Sequence, residues 1–61
     1  MNLESLKQFV RDCIKQKPDR ADEIKDIFFL ATDEIEDGGS EVHECRLAVG
    51  SINELLNSHK L

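Results

Sequence analysis

Apolar residues recur along the chain at intervals of three and four positions, and this periodicity falls into three segments. Such spacing places apolar side chains on one face of an α-helix. Pro18 separates the first segment from the second, and the pair Gly38-Gly39 separates the second from the third. We therefore predict an all-α fold of three helices in one domain that spans residues 1–61.

The predicted helices extend from about Leu3 to Gln16, from about Arg20 to Glu36 and from about Glu41 to Ser58. Each is preceded by a residue whose side-chain oxygen can accept a hydrogen bond from a first-turn N–H group, namely Asn2, Asp19 and Ser40. Both connections are short, which favours antiparallel packing of neighbouring helices. We expect helices 2 and 3 to form an antiparallel hairpin, with helix 1 packed across it.

The predicted core consists of the residues that share the apolar face of each helix. They are Leu3, Leu6, Phe9, Val10, Cys13 and Ile14 in helix 1; Ala21, Ile24, Ile27, Phe28, Ala31 and Ile35 in helix 2; and Val42, Cys45, Ala48, Val49, Ile52, Leu55, Leu56 and His59 in helix 3. A chain of this length buries only about 60% of the surface that it exposes when unfolded. Its core is therefore thin, and association with another chain is an expected source of stability.

Three large apolar residues lie outside these faces: Phe29 and Leu30, on either side of the helix 2 face, and Leu47 on helix 3. Large exposed apolar patches usually mark an interface. Gly50 lies in the middle of helix 3, where a missing side chain permits close approach of another backbone. We therefore expect a symmetric oligomer, with Phe29, Leu30, Leu47 and Gly50 at its interface.

The charge balance narrows the possible partners. Lys and Arg total 8 and Asp and Glu total 13, for a net charge of −5. This balance argues against nucleic acid and against an anionic membrane surface as partners. No apolar run is long enough to span a bilayer, and the N-terminus lacks the basic and apolar regions of a secretory signal. We expect a cytoplasmic protein whose Cys13 and Cys45 are free thiols.

Acidic residues concentrate where helix 2 turns into helix 3. They are Asp33, Glu34, Glu36, Asp37, Glu41 and Glu44. The spacing resembles a calcium-binding loop that begins at Asp33, but Ile35 occupies a required ligand position. A solvated turn is the simplest interpretation, and contact with a basic protein partner through Asp33, Glu36 and Asp37 is the functional alternative.

Basic residues form one row, in which Lys7, Arg11 and Lys15 lie four positions apart on one face of helix 1. A solvated face opposite the core is the simpler interpretation. The alternative is a surface for an acidic partner or a phosphate-bearing ligand.

No catalytic or metal-binding set can be assembled from the sequence. His43 and Cys45 are two positions apart, which separates them by roughly 160° around a helix. The two cysteines and His43 and His59 lack the paired spacing of zinc ligands. We predict no enzymatic activity, no catalytic residue, no metal and no cofactor.

The chain resembles small, acidic, uncharacterised helical proteins of tailed phages. Residues at and after the predicted turn, namely Ser40, Glu44, Arg46, Leu47 and Ala48, are also similar to the helical hairpin of phage immune-evasion sponges. That resemblance implies an oligomer that binds a cyclic-nucleotide signal between subunits, with Arg46 as the basic residue that holds phosphates. The leading expectation is a small interaction protein, an adaptor or inhibitor that binds a protein partner, and the sponge is the alternative.

Overall fold

The computed structural model describes residues 1–57, which form three α-helices: α1 (Leu3–Gln16), α2 (Ala21–Glu36) and α3 (Glu41–Asn57). One turn of 3₁₀ helix, Pro18–Arg20, joins α1 to α2. α2 and α3 pack closely as an antiparallel hairpin, and α1 packs across both of them. The predicted all-α arrangement is confirmed. None of the helices in residues 1–57 combines the length and apolar character needed to cross a bilayer.

Two side chains stabilise the start of α1. The Oδ1 atom of Asn2 accepts a hydrogen bond from the Ser5 N–H at 2.9 Å, as predicted for an N-cap. The Oε2 atom of Glu41, in the first turn of α3, accepts a hydrogen bond from the Leu3 N–H at 2.7 Å. Because the first N–H groups of a helix have no partner inside it, this carboxylate also links α1 to the hairpin.

The start of α2 differs from the prediction, because Asp19 is not its N-cap. Asp19 lies inside the 3₁₀ turn, in which the Arg20 N–H donates to the Lys17 carbonyl oxygen at 2.9 Å. A residue held in this turn cannot adopt the extended conformation of an N-cap. α2 therefore begins at Ala21, and Arg20 makes no side-chain cap but pairs with Glu23 at 3.2 Å.

The turn between α2 and α3 is built by the two glycines. Gly38 has a φ of 104°, in the left-handed region that disfavours side chains. The Gly39 N–H donates to the Glu34 carbonyl at 2.8 Å and the Gly38 N–H to the Ile35 carbonyl at 3.1 Å, which is the Schellman pattern. Ser40 then caps α3, as predicted, through a hydrogen bond of 3.3 Å from the His43 N–H to its Oγ.

The core lies where the three helices meet. Its buried members are Leu6, Val10, Cys13, Ile24, Ala31, Cys45, Ala48 and Ile52. Val42, predicted to belong to it, is 54% exposed. Val42 lies about 80° around the helix axis from the buried Ile52. It is therefore at the edge of the apolar face of α3, and the other two helices do not cover the full width of that face. His59 and Ser58 lie outside the described residues.

Candidate interaction surface

A shallow groove of about 150 Å³ runs between α2 and α3. We call it the α2–α3 groove, and its lining residues come from these two helices alone. They are Ile27, Leu30, Ala31, Glu34, Glu44, Leu47, Ala48 and Ser51. Ala31 and Ala48 are buried whereas Leu30 and Leu47 are exposed, so the small side chains form the floor of the groove and the leucines form its walls.

Leu30 and Leu47 are exposed apolar residues that line the same groove. Leu30 is 65% exposed and Leu47 is 53% exposed, although both line the same groove. The prediction that they lie outside the core is confirmed. Burying a leucine side chain completely stabilises a complex by roughly 1.5–3 kcal/mol. Covering both leucines would therefore make the free energy of binding substantially more favourable.

Phe29 is exposed on a different side of α2. It is 55% exposed, and its ring packs against that of Phe28 with a centroid separation of 5.9 Å and a tilt of 56°. Phe29 is not among the residues that line the α2–α3 groove. The four predicted interface residues therefore do not form one continuous patch.

Gly50 lies beside Leu47 in a hollow that continues the α2–α3 groove. This hollow is lined by Arg46, Leu47, Gly50, Ser51 and Glu54. A Cβ atom added to Gly50 would meet no atom within 4 Å. Within residues 1–57, therefore, no other helix approaches its backbone, and the space above it is open to an occupant from another chain.

Carboxylates dominate the polar rim of the groove. Glu34 and Glu44 line it near the turn, and Glu54 lies further along α3, in hollows that adjoin the groove. Arg46 contributes a positive charge in the adjoining hollow. The three carboxylates outnumber Arg46, so the groove and its adjoining hollows together carry a net negative charge, in agreement with the charge of the whole chain.

The predicted basic row occupies the outer side of α1. Lys7, Arg11 and Lys15 are all exposed. Arg46 lies apart from this row on α3, where it lines a second hollow with Met1, Val42 and Val49. The basic residues considered for phosphate binding are therefore divided between two helices.

The acidic turn is exposed to solvent. Asp33, Glu36 and Asp37 have exposed side chains, and none of them lines the α2–α3 groove. Across residues 1–57, no three His, Cys, Asp or Glu side chains come together as a group that could hold a metal ion. Contact between these carboxylates and a basic partner stays a prediction.

Both cysteines are buried free thiols, which confirms their predicted state. Burial raises the pKa of the Cys13 thiol, and the charge of Asp12 raises it further. Burial and the carboxylates of Glu41 and Glu44 raise the pKa of the Cys45 thiol, against a smaller lowering by the N-terminal ammonium group. A thiol that keeps its proton is a poor nucleophile, so these side chains act as small apolar core groups.

The groove itself was not predicted from the sequence. The periodicity predicts Ala31 and Ala48 only as core residues, and it attaches no role to Ser51 or Glu54. The useful signal was the small size of both alanines, because short side chains on facing helices leave a channel between larger neighbours.

Comparisons with known proteins supply no relative. No family model, no curated protein and no solved structure matches the chain.

Proposed function

We propose that this protein is a small, non-catalytic adaptor or inhibitor that binds a helical segment of a protein partner in the α2–α3 groove. The observation that carries the proposal is the exposure of Leu30 on α2 and Leu47 on α3 along one groove. Amphipathic helices commonly bind by placing apolar anchors in such a groove. The small floor residues support this mode, because they let another helix come close.

The charge distribution favours a protein partner over a cyclic-nucleotide signal. A phosphate-bearing ligand needs several basic groups directed at one place. Arg46 shares its hollow with Glu54, and the row on α1 lies on another helix. The sponge alternative predicts that cyclic di- and trinucleotides raise the melting temperature, whereas a protein-binding role predicts no change.

Self-association is a second part of the proposal. Phe29 remains exposed on the side of α2 that does not line the α2–α3 groove. Two different apolar surfaces support a molecule that pairs with its own copy through one and binds a partner through the other.

The test is selection from a displayed library of helical peptides with apolar anchors at helical spacing and random residues at the other positions. The wild-type protein should enrich peptides that bind, and Leu47→Glu should lose them because a carboxylate replaces a groove wall. Val42→Glu is the matched control, since Val42 is 54% exposed on the same helix, close to the 53% of Leu47.

Retention of the selected peptides by Val42→Glu and their loss by Leu47→Glu is the expected result. A pool that binds both variants equally, or no enrichment on the wild-type protein, would refute the groove as a partner-binding site.

A further inference from the structure

We infer that the α2–α3 groove selects a basic amphipathic helix, with Lys or Arg residues on both sides of its apolar anchors. This inference rests on the proposed function and specifies the chemistry of the partner. It follows from the arrangement of charge around the groove, which an apolar anchor pattern alone does not determine.

The carboxylates lie in the groove near the turn and in the hollow that continues it along α3. Glu34 on α2 and Glu44 on α3 line the groove, and Glu54 lies ten positions further along α3, in the adjoining hollow that Arg46 also lines. At a rise of 1.5 Å per residue, ten positions correspond to roughly 15 Å, or about three helical turns. A bound helix of that length therefore has a carboxylate near each of its ends.

Within residues 1–57, Arg20 and Glu23 form the one ion pair, so none of the three carboxylates pairs with a cationic side chain of the described residues. Basic side chains on a bound helix would supply that partner without being buried, because long Lys and Arg side chains can pack along apolar walls while their charges stay at the rim. Complementary charge of this kind increases association rates and excludes partners of the wrong charge.

The same charges disfavour a second copy of the chain as the occupant. A symmetric pair joined through this groove would bring the Glu34, Glu44 and Glu54 side chains of both copies into one interface. Like charges placed together oppose association. A basic amphipathic helix from a different protein would bury the apolar walls and pair with the carboxylates of the rim at the same time.

The experiment compares three synthetic helices of roughly 16 residues, long enough to cover the groove. They share the apolar anchors of the selected peptides and carry Lys, Gln or Glu at the flanking positions. Fluorescence anisotropy at about 20 mM and about 500 mM salt measures their affinities. The Lys peptide should bind at least about tenfold more tightly than the Gln peptide at low salt, with a smaller advantage at high salt.

A charge-neutralised variant identifies the carboxylates that cause the preference. Glu34→Gln, Glu44→Gln, Glu54→Gln should remove the advantage of the Lys peptide and leave the affinity of the Gln peptide nearly unchanged. The matched control, Asp33→Asn, Glu36→Gln, Asp37→Asn, removes three carboxylates outside the groove and should keep the preference.

The outcomes separate this inference from the proposed function. Equal affinity for the Lys and Gln peptides, with both lost in Leu47→Glu, would overturn the inference and leave the groove as a binding site. Loss of the preference in the control variant would also overturn it, by assigning the effect to overall charge. Absence of binding by all three peptides would refute both.

Discussion

Cys13 and Cys45 link the core to the pH dependence of stability. Burial raises the pKa of both thiols in the folded chain. An unfolded thiol ionises near pH 8.5, whereas the folded thiols keep their protons to higher pH. Burial of the two protonated thiols therefore contributes its full share of the free energy of unfolding below the pKa of the unfolded thiols. This contribution is lost as the pH rises through the folded pKa values, because the unfolded state loses its thiol protons first.

We predict that the melting temperature of the wild-type protein falls more steeply above roughly pH 8.5 than that of Cys13→Ala, Cys45→Ala. The variant should be less stable at every pH because it loses buried sulfur atoms, so the slopes are compared and not the absolute values. Reductant at neutral pH should leave the wild-type melting temperature unchanged. Parallel slopes, or a large loss of stability on reduction, would contradict the prediction.

Glu41 stabilises a helix other than its own through the hydrogen bond that it accepts from the Leu3 N–H. We predict that Glu41→Ala lowers the free energy of unfolding by about 1 kcal/mol, the usual contribution of one hydrogen bond. Urea denaturation followed by circular dichroism measures this change.

Glu4→Ala is the matched control, because Glu4 is also a first-turn carboxylate, but its side chain makes no hydrogen bond or ion pair within residues 1–57. Both substitutions remove a favourable charge near a helix N-terminus. An equal loss of stability in the two variants would show that the contact with Leu3 contributes nothing beyond that charge.

At the scale of the helices, the sequence pattern predicted the number of helices and the residues at which α1 and α2 end. It predicted the start of α2 less well. Gln16 and Glu36 end their helices as expected, because proline and glycine act locally on the backbone. The failure at Asp19 has a different origin. A favourable N-cap residue identifies where a helix can begin, but the 3₁₀ turn made by Pro18–Arg20 displaced the start of α2 to Ala21.

Substitution of Gly39 and of Gly50 by alanine should change the stability of the fold in opposite directions. A Cβ atom on Gly39 would lie 2.7 Å from the Glu34 carbonyl oxygen, which accepts the hydrogen bond that ends α2. Gly39→Ala should therefore destabilise the fold by more than 1 kcal/mol, on the order of the loss of a helix cap. Gly50→Ala should stabilise it by about 1 kcal/mol, since Gly50 is helical and has open space around it.

Urea denaturation at a concentration where the chain is monomeric tests both variants. Equal effects of the same sign would contradict the different surroundings of the two glycines. A Gly50→Ala variant that is more stable but associates less would support Gly50 as a contact point between chains.

The whole molecule shows why the candidate site was only partly predictable. Periodicity fixes the angle of Leu30 around α2 and of Leu47 around α3, and it correctly placed both outside the core. It does not fix how the two helices rotate relative to each other. That rotation places Leu30 and Leu47 on one groove and leaves Phe29 away from it.

At the scale of the whole molecule, the exposed apolar surface favours association with another copy of the chain. Within residues 1–57, the large side chains that are fully buried are Leu6, Ile24 and Ile52, while Phe29 and Leu30 stay more than half exposed on α2. We predict a symmetric oligomer at micromolar concentration with Phe29 or Leu30 at its interface, and the acidic rim of the α2–α3 groove favours Phe29.

Light scattering across a dilution series measures the mass of the wild-type protein, of Phe29→Glu and of Leu30→Glu, with Val42→Glu as the control for one added charge. Phe29→Glu should shift the population to monomer, because a charged side chain would be buried in the interface at a large cost in free energy. The control should retain the wild-type mass. A mass of 7.0 kDa at every concentration would exclude the oligomer. The double variant Phe29→Glu, Leu30→Glu is a further test. If it kept the wild-type oligomeric mass, neither of these side chains of α2 would contribute to the interface, which would have to lie elsewhere.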